Sequence, residues 1–152
     1  MSLKFNALAD VLRGKRVVVV DDTIVRGTTT PHVISLIRKA GAKEVHVRIT
    51  APPIVSPCFF GVDMATKWEL IAANKSVEEI RQHIGADTLG FLSLEGLVGS
   101  TGQPGSSLCN ACFTGKYPIN VQLQMDRLEG VGVTRSPGAF AGLDSLNYAG
   151  GP

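Results

Sequence analysis

Residues 16–30 read RVVVVDDTIVRGTTT, an apolar run that stops at two adjacent carboxylates and a loop of glycine and threonines. Four consecutive valines without polar alternation describe a strand buried on both faces, which predicts a central position in a parallel sheet. Asp21 and Asp22 then fall at its carboxyl end. Thr30 is the expected N-cap of a following helix, Pro31 suits its first turn, and Val33, Ile37 and Ala40 recur at helical spacing before Gly41 stops it.

The neighbouring segments extend this pattern. In Glu44 to Thr50, Val45, Val47 and Ile49 alternate with His46 and Arg48, so this second strand is expected nearer an edge or half covered. Strand, helix and strand in succession make a βαβ unit with a right-handed crossover and parallel strands. The prolines of APPIVSP (51–57) continue neither element. Helices are expected at 67–73 and 76–84, the second opened by a Ser76/Glu79 capping box. A strand at 88–93 and a short helix at 94–98 follow. Residues 99–107 form a Gly, Ser and Pro loop leading into CNACFTGKYP (109–118), and the glycine-rich stretch 126–152 reads as a flexible tail after a unit spanning 1–125. The fold class is therefore α/β, a parallel sheet flanked by helices with a cysteine-containing segment near its end.

Composition narrows the partners. The 152 residues carry 44% hydrophobic and 18% charged side chains with a net charge of +2, too little to indicate nucleic acid. No run approaches a membrane-spanning length of about 18 apolar residues. The opening MSLKFNALADVLRGKRV lacks the apolar core and small-residue cleavage site of a secretory signal, which predicts a cytoplasmic protein. Small molecules are the expected ligands.

In open α/β sheets ligands bind at the carboxyl ends of the strands, where Asp21 and Asp22 lie. Paired carboxylates repel, a cost offset when hydroxyls, a cation or developing positive charge faces them. The loop after them has the opposite character, because backbone N–H groups converge on a helix N-terminus that favours phosphate. Gly27 permits a tight bend, and Thr23, Thr28 and Thr29 add hydroxyls. A sugar phosphate suits this arrangement. Neither GxxxxGK nor GxGxxG is present, which argues against nucleoside triphosphates and dinucleotides. Taken singly, the same residues also suit ordinary turn and helix capping.

Cys109 and Cys112 form a CxxC, and Cys58 sits in a proline-rich segment able to fold back toward them. A shared metal, a redox pair and three ordinary thiols all fit that spacing. Arg26 fits either a phosphate contact or a solvent-facing position. His32, His46 and His83 suit exposed helix or strand faces and receive no chemistry. Trp68, beside Leu70 and Ile71, is expected to pack; Glu95 to cap the next helix; Lys116 and Tyr117 to support the cysteine segment.

VVVVDDTIVRGTTT resembles the phosphoribosyl pyrophosphate (PRPP) signature of the type I phosphoribosyltransferases. DDTIVRGTT, GAKEVHVRI, PPI, PCFFGVD, ELIAA, GADTLGFLSLEGL and LCNACFTGKYP are similar, in unbroken order over roughly residues 4 to 123, to the iron–sulfur subclass of the amidophosphoribosyltransferases. The resemblance implies that Asp21 and Asp22 contact the ribose hydroxyls of PRPP and help hold its Mg²⁺. It implies that Thr23, Ile24, Val25, Arg26, Gly27 and Thr28 wrap the 5′-phosphate, mostly through main-chain N–H groups. The reaction implied is conversion of PRPP, glutamine and water to 5-phosphoribosylamine, glutamate and pyrophosphate, the first step of de novo purine synthesis.

By the same resemblance, Cys58, Cys109 and Cys112 are three ligands of a [4Fe–4S] cluster whose fourth ligand is expected outside this chain. The glutaminase domain that supplies ammonia, the earlier strands of the sheet and two active-site loops have no counterpart here, so an incomplete phosphoribosyltransferase-like sheet, inactive alone, is expected. The full enzyme would be a homo-oligomer. The rival from another class is a non-catalytic PRPP- or metal-binding regulatory module.

Overall fold

The computed structural model describes residues 9–62 and 66–121. A short helix α1 (Ala9–Leu12) precedes strand β1 (Arg16–Asp21), and helix α2 (Thr30–Lys39) carries the chain over to strand β2 (Glu44–Ile49). After the proline-rich segment come a 3₁₀ turn at Lys67–Glu69, α3 (Ile71–Asn74), α4 (Val77–Ile84) and β3 (Thr88–Phe91). Helix α5 (Leu94–Thr101), a second 3₁₀ turn at Gly105–Ser107 and α6 (Ala111–Thr114) complete the described elements.

The three strands are parallel in the order β1-β2-β3, with Val19 opposite Val47 and Val47 opposite Leu89. This reverses the expected strand positions: β2 is central and β1 is an edge. One face is covered, where Val45 and Val47 lose all solvent contact against Ile34, Ile80, Ile84 and Ala86. Burying each such side chain stabilises the fold by about 1.5–3 kcal/mol. On the other face Val18 is 60% and Val20 66% exposed. Continuous apolarity describes what a strand is fit to bury, whereas its neighbours decide what it does bury, and among the described residues none covers these two valines.

The polar half of β2 is satisfied across the strands. Arg16 Nε donates to Glu44 Oε2 at 2.7 Å, His46 Nε2 lies 3.0 Å from that same oxygen, and Arg48 Nη1 donates to Thr88 Oγ1 at 3.0 Å. His46 is accordingly half-buried, where exposure was expected. Asp87 ties the layers together: its Oδ2 accepts from the Val45 N–H at 2.6 Å and from Arg38 Nη2 at 2.9 Å.

The elements otherwise depart from expectation mainly at their ends. Thr30 is the first residue of α2 and not its cap; Thr29 takes the cap position without a side-chain hydrogen bond. The helix expected at 67–73 divides at Leu70, whose extended backbone separates the 3₁₀ turn from α3. The Ser76/Glu79 capping box closes α4 as expected, and Gly85 ends it with φ 75°. Helix α5 runs on to Thr101, capped by Ser93 Oγ accepting from the Gly96 N–H, with Glu95 in its first turn. Trp68 is 64% exposed, contrary to the packing expected of it, because Leu70 takes the buried position instead. The tail at 126–152 lies outside the described residues.

Candidate functional site

The carboxyl end of β1 opens into a cavity of about 710 Å³, lined by Asp21, by Thr23 through Thr30, and by Ile54 and Val62. Two apolar residues of the loop tie it to the cores beneath. Ile24 is buried in the main core with Ile71 and Ile80, and Val25 packs on Ile54 and Leu70. Both side chains thus anchor the loop beside the cavity that it lines.

Three contacts hold the loop from outside. The Ile71 N–H donates to Val25 O at 2.9 Å. Arg26 Nη2 pairs with Glu69 Oε1 at 3.1 Å. His83 Nε2 lies 3.2 Å from Gly27 O. Glu69 is itself oriented by Thr66, whose N–H and hydroxyl donate to its Oε2 at 3.0 and 2.8 Å; these bonds, with the Arg26 charge, hold its carboxyl below the usual range. Among the described residues no acceptor is recorded for the N–H groups of Thr23 to Thr29. They stand at the N-terminus of the ten-residue α2, where partial positive charge accumulates.

Asp21 lines the cavity, and its Oδ1 accepts from the Asp22 N–H at 3.0 Å. Asp22 is exposed and stands beside this lining. The acid at the strand end and the loop leading to the helix start therefore border one opening. Chemically, the first suits hydroxyls or a cation and the second an anion such as phosphate. Arg26 is exposed, the solvent-facing alternative of the two weighed for it from sequence, and there it pairs with Glu69. Glu69 and His83 carried no sequence signal for the loop, since each meets it only through the packing of the 3₁₀ turn Lys67–Glu69 and of α4.

The cysteines gather at a second place. Cys112 O accepts from the N–H groups of Val55 and Ser56 at 2.9 and 3.0 Å, and Tyr117 Oη donates to Pro57 O at 2.7 Å. The proline-rich segment thus folds back onto CNACFTGKYP, with the Phe59 ring centroid 5.0 Å from that of Tyr117 and the rings tilted at 57°. Burial pushes the Cys112 thiol up, and the nearby Cys58 and Cys109 push it further. All three are free thiols sharing one neighbourhood. Among the described residues no three His, Cys, Asp or Glu side chains converge on a single ion.

Comparisons with known proteins agree with this geometry. No family model matches the chain. It is 58% identical over 122 residues to an amidophosphoribosyltransferase of Methanocaldococcus jannaschii and 55% identical over 123 residues to that of Bacillus subtilis, taking in 80% and 78% of the chain. A chloroplastic amidophosphoribosyltransferase of Arabidopsis thaliana is 54% identical over 119 residues. Among solved structures, the glutamine PRPP amidotransferase from B. subtilis complexed with ADP and GMP matches with a TM-score of 0.71 at 56% identity over 76% of the chain. A structure described as the allosteric regulatory enzyme of purine biosynthesis matches at 0.72 and 55%. The chain spans 26% of the length of the first two curated relatives and 26% of each of these structures. Among the described residues no helix is long and apolar enough to cross a membrane.

Proposed function

Because this chain is similar to amidophosphoribosyltransferases over about a quarter of their length, we propose that it forms the part of such an enzyme that holds the ribose 5-phosphate portion of PRPP. The observation carrying this reading is the loop Thr23 to Thr28, which lines the cavity before the start of α2 and is anchored by buried Ile24 and by Val25 packed on Ile54 and Leu70. The N–H groups of the loop bind the 5′-phosphate, each charge-assisted bond contributing on the order of 1.5–3 kcal/mol. Asp21 and Asp22 take the ribose hydroxyls. As pyrophosphate leaves, positive charge grows at the ribose C1 carbon, and fixed carboxylates stabilise it without forming a covalent bond.

The complete enzyme would join ammonia released from glutamine to that carbon, yielding 5-phosphoribosylamine, glutamate and pyrophosphate in the cytoplasm, as the opening step of purine synthesis. A glutaminase domain, absent from the 152 residues, delivers the ammonia, and a homo-oligomer is the expected assembly. The pair Asp21 and Asp22 matches the one or two carboxylates that commonly hold Mg²⁺ alongside substrate oxygens. When bound, the ion neutralises the departing pyrophosphate.

Cys58, Cys109 and Cys112 are proposed as three ligands of a [4Fe–4S] cluster, with a fourth from outside the chain. In such a cluster each thiolate binds its own iron, so a shared neighbourhood suits it better than convergence on one point. Anaerobically purified full-length enzyme should contain about four irons per chain, and iron-free active enzyme would exclude the cluster.

The substrate reading is tested in two steps. Calorimetric titration of the chain with ribose 5-phosphate should show one binding site. In the full-length enzyme, Asp22→Asn should lower PRPP-dependent turnover at least about tenfold, which corresponds to about 1.4 kcal/mol of transition-state stabilisation. Unchanged kinetics would remove the role given to Asp22.

A further inference from the structure

The peptide units of the anion loop are oriented from behind, and one of them is held by a side chain that the sequence left without a role. A trans peptide is planar, so its C=O and N–H point in opposite directions. With Val25 O turned to the Ile71 N–H, the Arg26 N–H is directed away from α3. With Gly27 O turned to His83 Nε2, the Thr28 N–H is directed away from α4. Gly27 and Thr28 both line the cavity. A carbonyl rotated into that space would set a partial negative charge against a bound anion.

The first peptide is held by main chain, the second by the imidazole alone. Gly27 adopts φ +68°, open to glycine at little cost, and the atoms nearest to where a Cβ would stand are Ile71 Cδ1 and the His83 ring. Without the ring contact nothing described on that side accepts or donates to the 27–28 peptide. A carbonyl acceptor requires the facing nitrogen to carry hydrogen, which selects the Nε2–H form of a neutral His83.

We propose that His83 is a positioning residue of the phosphate loop: its Nε2–H, donating to Gly27 O, keeps the Thr28 N–H aimed at the anion. The proposal rests on the reading of Thr23 to Thr28 as a phosphate site. It adds that α4, an element outside the sequence motif, tunes the strength of that site.

Titration of the chain with ribose 5-phosphate, alongside His83→Leu and His83→Gln, tests it. Glutamine places an amide donor near the Nε2 position, and leucine places none. His83→Leu should bind about tenfold more weakly, a difference of about 1.4 kcal/mol, and His83→Gln should bind within about threefold of the parent, about 0.65 kcal/mol. Equal affinity of parent and His83→Leu would overturn the positioning role while leaving the phosphate site in place. Absence of binding by the parent would instead overturn the phosphate site, and the role of His83 with it. Proton–nitrogen NMR of the unmutated chain, with the ring neutral, gives a second measurement independent of variant folding. The Nε2–H tautomer is expected, and the Nδ1–H tautomer would overturn the proposal.

Discussion

Gly27 concentrates the constraints on the loop into one residue. Its φ of +68° disfavours any side chain, and an added Cβ would stand 2.5 Å from Ile71 Cδ1, a buried atom with little room to retreat. Gly27→Ala should therefore destabilise the chain by about 1–3 kcal/mol and weaken ribose 5-phosphate binding as well; calorimetric melting and titration of the purified variant measure both. A variant with parental melting and affinity would show that the loop is free to rearrange. The need for glycine was legible in VRGTTT, since a tight bend between strand and helix calls for it. Arg26 was legible only as a charge, because its partner Glu69 is 43 positions away and is oriented by a capping contact to Thr66.

At the scale of the element, α4 shows how local signals survive folding. Ser76 and Glu79 cap it reciprocally, while Ile80 and Ile84 enter the core. Its acids are held by these contacts in the ionised form: Glu78 is lowered from 4.5 to about 2 by hydrogen bonds from Arg81 and Gln82, and Glu79 is lowered by Ser76. Asp87, just beyond, is lowered by the Val45 N–H and Arg38. A carboxyl lowered on folding contributes stability above its unfolded value and loses it as pH falls through the folded one. Stability should accordingly be full above about pH 4.5 and decline toward pH 2, as followed by denaturant titration across that window. A flat profile would mean that these contacts persist equally in the unfolded chain.

Strand β1 shows the opposite case. Its valines were read as doubly buried, and the covered face obeys that reading through Val19, whereas Val18 and Val20 stand exposed on a strand that, among the described residues, is paired on one side only. Exposed β-branched residues on a free edge promote pairing with other chains. The purified chain should self-associate, and Val20→Lys should shift it toward monomer in sedimentation experiments. A monomeric parent would contradict the expectation. The valines still show that β1 is built for two covered faces, which the described residues supply on one side only.

For the molecule as a whole, the loop and the thiols share one small core. Ile54 and fully buried Leu70 contact Val25 on one side and Cys112 and Phe113 on the other. Leu70→Ala should cost about 2–5 kcal/mol and loosen both regions; faster amide exchange at Val25 and at Cys112 would register it. Exchange limited to one region would show that the two are mechanically independent.

Taken alone, the sequence determined the parallel α/β class, the acid pair at a strand end and the glycine-bearing loop. Each of these depends on spacing within a short stretch, where periodicity and backbone chemistry act directly. Only the tertiary structure decided that β2 is central, that Leu70 and not Trp68 is buried, and that Glu69 and His83 hold the loop. Those outcomes depend on which distant surfaces meet, and a pattern of residue types specifies that a face is to be covered without specifying by what.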